Sequence, residues 1–292
     1  MRKNVMMDSY RAFTKETPFD FAKRSTIGCG GTARYAFRPK TEAEAFALFR
    51  QLQSDRLAYF PMGNLSNVLP PDGETETIVV DMKALRGVSS DKGVYVQAGV
   101  TSGLLLQYCL AQGKGGAEFL AGIPCTLGGA IYMNAGVDGG HLSDIVANVT
   151  VVEDGKVNIL SSTDCAFGYK TSRFMQTGGV IIGARLRLKD YAQTDIRENI
   201  KRFVGKRAHL PKGKSMGCIF KNPDGISAGA LIEKSGLKGF SMGRAKVSER
   251  HANFIINQGA TATEIRALIA WIKEKVHETQ GIALQEEIRY LP

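Results

Sequence analysis

The stretch from Gly115 to Gly136 constrains the fold of this chain more than any other part of its sequence. Its 22 residues include six glycines and one charged side chain. Glycine adopts positive φ angles without steric cost, so Gly122, Gly128 and Gly129 are expected to bring backbone N–H groups against a ligand. A flat, anionic cofactor suits such a cradle. A buried, Gly-rich crossover between sheet elements has the same composition, and spacing alone leaves both interpretations open.

The composition is that of a folded, basic protein. With 43% hydrophobic residues, the 292-residue chain can bury one large core or two to three smaller ones. The formal charge of +10 favours anionic partners, and the phosphates of a nucleotide or of a nucleic acid are equally compatible with it. The densest basic cluster, 201–214, lacks the interleaved aromatic side chains of a surface that binds single strands. We therefore expect no nucleic-acid partner.

Neither a membrane span nor a metal site is predicted. No segment approaches the roughly 20 apolar residues that cross a bilayer, and no apolar stretch of a signal peptide follows the basic first residues. We expect a cytoplasmic protein without membrane insertion. The five cysteines are scattered and include no CxxC pair, so reduced thiols are expected and neither a disulfide framework nor a zinc site.

Helix and strand signals alternate along the chain. Thr41 with Glu44 predicts a capping box that opens one helix, and Thr261 with Glu264 predicts another for a long helix ending before Gly281. Two more helices are predicted over 102–112 and 195–208, the second being basic and starting a new unit after a boundary near residue 190. Strands are predicted at 58–60, 78–81, 94–98, 145–152, 156–160, 180–188 and 283–291.

Two short motifs are candidates for binding and proton transfer. The loop from Gly63 to Asn67 follows a strand, where backbone donors and polar side chains could hold a pyrophosphate, although the same residues make ordinary turns. Cys218 is followed by the cation of Lys221 and the amide of Asn222. A thiol, with a reference pKa near 8.5, releases a proton far more readily than a hydroxyl, so Cys218 is a candidate acid or a small buried apolar residue.

Other polar residues have weaker signals. Glu286 and Glu287 are adjacent in a predicted strand, so only one of them can face a given site. No second histidine lies at metal-ligand spacing from His251, which favours a structural hydrogen bond there. Tyr169, Lys170 and Arg173 form a polar cluster between two strands, which by itself is typical of a solvated loop.

The order of these motifs resembles the UDP-N-acetylmuramate dehydrogenase (MurB) family, in its compact branch, across nearly the whole chain. The matching sequence includes Glu118–Ala130, EFLAGIPCTLGGA, and Val247–Phe254, VSERHANF. The other segments that carry the resemblance are 25–33, 63–67, 134–136, 167–169, 217–223 and 281–289.

The resemblance implies an α+β fold. It implies a two-subdomain FAD-binding region of the vanillyl-alcohol-oxidase (PCMH) type, followed by an α+β substrate-binding domain. The subdomains are expected at 1–75 and 76–190 and the substrate domain at 191–282, with the strand 283–292 returning to the first subdomain. A monomer is expected.

The resemblance also implies a reaction and its cofactors. NADPH reduces FAD, and the reduced flavin passes hydride to UDP-N-acetylglucosamine enolpyruvate, a UDP-linked amino sugar of peptidoglycan synthesis. By position, Cys218 resembles the proton donor, Glu287 the C-terminal carboxylate, and Lys170 stands where the family has an arginine that polarises the substrate carboxylate. Substrate-binding residues are expected at Tyr169, Arg173, Lys221, Asn222 and His251. Cofactor-binding residues are expected at Gly63, Asn64, Ser66, Asn67, Gly122, Ile123, Pro124, Gly128, Gly129, Asn134 and Gly136.

The sequence departs from the family pattern at four places, of which Ser25, in place of the usual asparagine, is a mild one. Cysteine at 218 replaces a serine and fits the same task. Lysine at 170 neutralises a carboxylate but lacks the planar fork of arginine, and Arg173 is the residue that could compensate. Leu65 stands where the family has a further glycine. A flavin-binding paralogue with changed or lost activity therefore remains an alternative, as does a basic nucleotide- or nucleic-acid-binding protein without redox function.

Overall fold

The structure is a computed structural model that describes residues 7–91, 93–137 and 139–292. In chain order its strands are β1 (Phe19–Asp20), β2 (Thr32–Ala33), β3 (Ala36–Phe37), β4 (Tyr59–Met62), β5 (Val68–Leu69), β6 (Ile78–Asp81), β7 (Val88–Ser89), β8 (Val94–Gln97), β9 (Lys114–Gly115), β10 (Gly136–Val137), β11 (Gly140–His141), β12 (Val146–Glu153), β13 (Lys156–Ser161), β14 (Val180–Leu186), β15 (Lys189–Asp190), β16 (Ser241–Met242), β17 (Ala245–Val247), β18 (Ile255–Asn257) and β19 (Arg289–Tyr290).

The α-helices are α1 (Phe21–Arg24), α2 (Glu42–Ser54), α3 (Ser102–Gln112), α4 (Leu127–Tyr132), α5 (Leu142–Ile145), α6 (Phe174–Thr177), α7 (Gln193–Lys206), α8 (Ala228–Lys234) and α9 (Ala262–Gln280). None of the helices in the described ranges is both long and apolar enough to cross a membrane.

The chain forms two compact units, each assembled from separate segments. The first unit contains the residues up to Thr17 together with Tyr35–Gly63 and Thr77–Ala208, and the second contains Pro18–Arg34, Asn64–Glu76 and His209–Pro292. Helix α7 falls in the first unit. The three-part division predicted at residues 75, 190 and 282 stays a prediction.

The first unit is built on two sheets. One is a five-stranded antiparallel sheet in the order β13-β12-β14-β8-β7, and the other is a three-stranded parallel sheet in the order β3-β6-β4. Alternate side chains of the larger sheet, such as Val96 and Val149, share an apolar core with Leu105 of α3 and Ile131 of α4. Because α4 belongs to the glycine-rich stretch, this core holds that stretch against the sheet.

The second unit packs a long helix on a small antiparallel sheet, β16-β17-β18. The apolar stripe predicted for α9 is buried, and its residues are Ile265, Leu268, Ile269, Ile272 and Val276. The capping box at Thr261 and Glu264 is complete, and Gly281 ends the helix at φ 68°. Strand β19 pairs with β5 in parallel, which ties the 288–291 segment to the 68–69 segment.

Local signals were most accurate for helices and for the longer strands. Helix α3 begins and ends as predicted, with Gly113 at φ 63° after its last residue. The capping box at Thr41 is only half formed, because the Glu44 carboxylate accepts the N–H groups of Thr14 and Lys40 instead of that of Thr41. Six of the predicted strands agree with β4, β6, β8, β12, β13 and β14 to within two residues at each end.

The predicted final strand, 283–291, is wrong in extent. Only Arg289 and Tyr290 join a ladder, since their partner β5 is itself two residues long. The preceding residues run irregularly beside the segment that follows Cys218, with one isolated bridge between Phe220 and Glu286. Residues 283–288 have the sequence pattern of a strand, but β5 is too short to extend the ladder to them.

Candidate active site

The loop that precedes α4 forms a backbone cradle at Gly122, and the side chain of Arg207 lies against it. Gly122 has φ 76°, and a Cβ added there would lie 3.2 Å from Cδ of Arg207. The Ser102 hydroxyl donates to the Ile123 carbonyl at 2.6 Å and ties the loop to the start of α3. A guanidinium beside exposed backbone is suited to an anionic group. Arg207 was not among the predicted site residues, because nothing in the sequence connects it to residue 122.

The predicted reason for glycine at 128 and 129 is wrong. Both residues lie inside α4, and neither has a positive φ. The Gly128 N–H donates to the Ala98 carbonyl at 2.9 Å, so it does not face a ligand. A Cβ at 128 would lie 3.0 Å from Cβ of Ala98. Glycine there permits close packing of the helix on the chain that follows β8.

Gly63 lies directly against the cradle. A Cβ on Gly63 would overlap the side chain of Thr126, the residue that caps α4. Gly136 is equally crowded, because a Cβ there would overlap the ring of His141. The first unit therefore brings the start of the 63–67 loop to the cradle through contacts that only glycine allows.

The remainder of the 63–67 loop lies in the second unit. Leu65 is buried and has φ 49°, a left-handed conformation that costs a leucine about 1–2 kcal/mol. The Asn67 amide donates to the Glu287 carbonyl at 3.1 Å, and the Arg289 N–H donates to the Asn67 carbonyl at 2.9 Å. Asn67 thus fixes the backbone around Glu287, and its predicted contact with a pyrophosphate stays a prediction. Asn64 and Ser66 are half-buried beside it.

Tyr169 and Lys170 occupy the corner of a tight turn, Gly168–Thr171, which we call the Lys170 turn. The Gly168 N–H donates to the Thr171 carbonyl at 3.1 Å, and the Thr171 N–H donates back at 3.3 Å. Lys170 is half-buried at φ 55°, while Tyr169 is exposed. A left-handed lysine is uncommon, and such residues collect at functional sites.

Arg173 is already engaged within the first unit. Its guanidinium contacts both carboxylate oxygens of Glu153, at 3.0 and 3.3 Å. The two side chains are largely buried. The predicted compensation by Arg173 for lysine at 170 therefore finds no support in this geometry.

The second unit brings Cys218 and Glu287 together along two neighbouring backbone segments. Cys218 forms an antiparallel bridge with Phe254, and the next residue, Ile219, accepts the Glu287 N–H at 2.8 Å. The Lys221 N–H donates to the Gln285 carbonyl at 2.8 Å. These bonds place the predicted acid and the predicted carboxylate on adjacent segments of one unit.

Asn253 is a residue that sequence reasoning missed. It is buried, and its side chain both accepts the Phe220 N–H at 2.9 Å and donates to the Phe220 carbonyl at 2.8 Å. These two hydrogen bonds to the backbone of Phe220 resemble those of a strand partner and fix the chain at Phe220, two residues after Cys218. The signal was available, since a polar Asn253 stands between apolar residues in the 247–254 motif.

Glu286 is committed elsewhere. It accepts the Lys273 ammonium at 2.8 Å and the Tyr290 hydroxyl at 2.7 Å. Burial raises the pKa of Glu286, but these hydrogen bonds and the charge of Lys273 outweigh it and hold the pKa below its ordinary value. Glu286 is therefore an ionised structural group, and the role predicted for Glu287 stays a prediction.

Two predicted substrate-binding residues have structural partners. The Asn222 side chain accepts the Ala228 N–H at 3.0 Å, at the start of α8. His251 accepts the Asn253 N–H on Nδ1 at 3.3 Å, and its ring meets Phe254 edge-on. Burial, followed by the charge of His209, lowers the pKa of His251, so it is neutral near pH 7. The expected structural hydrogen bond of His251 is confirmed. No group of three or more metal-ligating side chains occurs among the described residues.

Comparison with known proteins identifies the family. A family model for an FAD binding domain matches residues 33–161, and the model "UDP-N-acetylenolpyruvoylglucosamine reductase, C-terminal domain" matches residues 209–291. The UDP-N-acetylenolpyruvoylglucosamine reductase of Chlamydia abortus is 35% identical over 277 residues, which cover 92% of this chain and 92% of that protein. The chain belongs to the UDP-N-acetylenolpyruvoylglucosamine reductase (MurB) family.

Further members agree in sequence and in fold. The reductase of Geobacter metallireducens is 36% identical over 273 residues, covering 92% of this chain and 91% of that protein. The crystal structure of MurB from Thermus caldophilus superposes with a TM-score of 0.84 at 33% identity, covering 96% of this chain and all of that one. The resemblance read from the sequence is confirmed. The predicted α+β class, with an FAD-binding region before a C-terminal domain, is also confirmed. The family consists of FAD-dependent oxidoreductases.

The cradle fits the FAD that membership of the MurB family implies. FAD has a flat ring system and a pyrophosphate, which require apolar walls and positive charge respectively. The half-buried Ile123 supplies apolar surface, and the Arg207 guanidinium at Gly122 supplies the charge. The residues that could hold FAD in the first unit are therefore Gly63, Gly122, Ile123, Pro124 and Arg207.

Cys218 differs from the other cysteines of this MurB-family chain in being half-exposed. The remaining four thiols are buried, and burial raises the pKa of Cys29, Cys125 and Cys165 to about 11 and that of Cys109 to about 12. Those four thiols are protonated and shielded near pH 8.

We expect iodoacetamide to alkylate one thiol rapidly in the native protein, and peptide mapping to locate it at Cys218. The reason is accessibility, since a reagent of this size reaches a half-exposed sulfur but not a buried one. The Cys218→Ser variant should lose the fast phase and keep only the slow reaction that follows unfolding. A fast phase that survives in this variant would contradict the assignment.

Proposed function

We propose that this protein reduces UDP-N-acetylglucosamine enolpyruvate to UDP-N-acetylmuramate with NADPH, through FAD, in peptidoglycan synthesis. The observation that carries the proposal is the pairing of a half-exposed Cys218 with Glu287 on adjacent segments, in a chain of this family. We further propose that it acts as a cytoplasmic monomer, with FAD-binding subdomains at 1–75 and 76–190 and a substrate domain at 191–282.

The chain's own residues handle charge and protons. FAD, when bound, supplies a hydride that it has received from NADPH. As hydride reaches one alkene carbon of the substrate, negative charge grows on the side of the substrate carboxylate. We assign to Cys218 the transfer of its Sγ proton to the adjacent carbon, after which the thiolate takes a proton from solvent. Two electrons and two hydrogens are thereby added across one double bond.

Lys170 and Glu287 are assigned to the developing charge. The Lys170 ammonium neutralises the substrate carboxylate as a point charge, without the two-point geometry of a guanidinium. Rigid placement replaces part of that geometry, because the Lys170 turn is closed by two backbone hydrogen bonds. Glu287 assists an enolate only in its protonated form, as a hydrogen-bond donor. Tyr169 and Lys221 are proposed to bind the remainder of the substrate, with Asn222 and His251 fixing the backbone beside them.

The remaining predicted cofactor contacts are kept with altered roles. We propose that Gly63, Gly122, Ile123, Pro124, Gly129 and Gly136 approach FAD through backbone atoms, and that Asn64 and Ser66 offer polar groups to its pyrophosphate. Gly128 contributes by close packing, since its N–H is bonded to Ala98.

The test follows NADPH oxidation by purified protein reconstituted with FAD, with and without the enolpyruvyl substrate. The proposed function requires substrate-dependent oxidation and a product that comigrates with UDP-N-acetylmuramate. Oxidation that is equally slow with and without substrate would indicate a paralogue that retains flavin only, the alternative that Lys170 and Leu65 favour. A colourless protein that takes up no FAD would exclude both.

A further inference from the structure

Both ends of the Asn134 amide are used inside the first unit. Asn134 is 6% exposed, and its Nδ2 donates to the Gly168 carbonyl at 3.0 Å. Its Oδ1 accepts the Ser143 N–H, also at 3.0 Å. Asn134 itself has φ 42°, so the backbone is bent to deliver the amide to this position. Both bonds commit the Asn134 amide to the fold of the first unit, and its predicted contact with FAD stays a prediction.

A second bond holds the same turn from its other side. The buried Ser172 donates its hydroxyl to the Tyr132 carbonyl at 2.7 Å. Tyr132 is the last residue of α4, and Asn134 follows two residues later. Tyr132, at the end of α4, and Asn134, just after it, therefore bond the chain on both sides of Lys170, at Ser172 and at Gly168 respectively.

The hydrogen bonds of Asn134 and Ser172 hold Lys170 in a backbone conformation that is uncommon for a lysine. Lys170 sits at φ 55°, where a lysine is not held by its own preference. We infer that Asn134 is a positioning residue for Lys170, and that α4 links the cofactor cradle before its first residue to the Lys170 turn, which is bonded to the chain at and after its last residue. The inference rests on the proposed function of Lys170.

The amide is specific for this task. The Gly168 carbonyl, which also accepts the Thr171 N–H, takes the Asn134 amide as its second donor, and the Ser143 N–H takes it as its acceptor. Aspartate retains only the acceptor and places a carboxylate oxygen against the carbonyl, so Asn134→Asp removes one bond and adds repulsion. Asn134→Gly removes both bonds, but glycine adopts φ 42° without strain, which recovers part of the lost stability. This variant therefore serves as the test if Asn134→Asp does not fold.

A matched control exists in the second unit. Asn257 is also 6% exposed, donates to the Ile27 carbonyl at 2.8 Å, and accepts the N–H groups of Gly259 and Ala260. Asn257→Asp therefore breaks the same kind of bond at the same burial, in the unit that does not contain the Lys170 turn. Both variants are compared at equal flavin content, so that loss of folded protein does not enter the rates.

The first experiment separates the two half-reactions by stopped flow. In Asn134→Asp or Asn134→Gly, reoxidation of the flavin by the enolpyruvyl substrate should slow about 10- to 100-fold, because a displacement near 1 Å has that effect. Reduction by NADPH should be unchanged, and Asn257→Asp should leave both steps unchanged. In a Lys170→Met background the Asn134 variants should add almost nothing, since residues that act through one another are not additive.

The second experiment needs no turnover. Hydrogen exchange at the Thr171 amide should accelerate in the Asn134 variants and not in Asn257→Asp. Unchanged exchange, or a full additional loss in the Lys170→Met background, would overturn the inference. If wild-type protein does not consume the substrate at all, the proposed function fails, while faster exchange would still establish that Asn134 holds the turn.

Discussion

Cys218→Ala is expected to leave flavin reduction by NADPH intact and to slow reoxidation by the enolpyruvyl substrate roughly 10²- to 10⁴-fold, the range for loss of a general acid. The proton is required only when the alkene is reduced, so the first half-reaction does not sense the thiol. The structure supports this choice of residue, because Cys218 is the half-exposed cysteine and its backbone is held against the Glu287 segment. Stopped-flow absorbance of the flavin measures both steps in one preparation.

Two further variants control this experiment. Cys218→Ser keeps an O–H at the same position and should recover most of the lost rate. Cys109→Ala removes a buried thiol from the core of the first unit and should change neither half-reaction. If Cys218→Ala impaired both half-reactions equally, the thiol would be structural, and if it impaired neither, another group would be the acid.

Lys170→Met is expected to have the second-largest effect, a loss of roughly 10²- to 10³-fold in the substrate half-reaction, comparable with removal of one group that stabilises developing charge. Methionine keeps the length of the side chain and can occupy the same turn, so the loss reports the ammonium. Lys156→Met, on the exposed edge strand β13, removes an equal charge and should have no effect. Steady-state kcat/KM together with single-turnover rates gives the measurement.

Lys170→Arg decides whether lysine is a compromise. The Lys170 turn presents either side chain from the same backbone, and a guanidinium can bind a carboxylate at two points. We expect activity within about tenfold of wild type, with a rise in kcat/KM if the surrounding space accepts the fork. A loss as large as that of Lys170→Met would show that the site has been rebuilt around an ammonium.

Sequence reasoning succeeded where the causes are local. The caps of α3 and α9 and their periodic apolar residues lie within a few positions of one another, so the helices were predicted nearly to the residue. The order of motifs was sufficient to recognise the family, since that order is a property of the chain itself. That only one of Glu286 and Glu287 can face a given site followed from their adjacency, whereas the choice of Glu287 came from the family resemblance.

The roles of the asparagines could not be predicted in the same way. The amide of Asn134 finds its partner 34 residues away, and that of Asn67 finds its partner 220 residues away. Asn67 was expected to contact FAD because it lies in a loop after a glycine, and Asn134 because of the family resemblance; both contacts stay predictions. The sequence shows that an asparagine has donors and acceptors, but it does not show which groups they bond. The partners, the carbonyls of Gly168 and Glu287, are known only from the fold.

The segmented second unit has a consequence for synthesis on the ribosome. Its core combines Ile27 and Leu69 with residues of the 209–292 segment. At roughly 5–20 residues per second, the 216 residues that follow Glu76 take about 10–40 seconds to emerge. During that interval Ile27 and Leu69 lack the part of their core that the 209–292 segment supplies, whereas every segment of the first unit has been made once Ala208 has emerged. We therefore expect the second unit to complete its fold after the first.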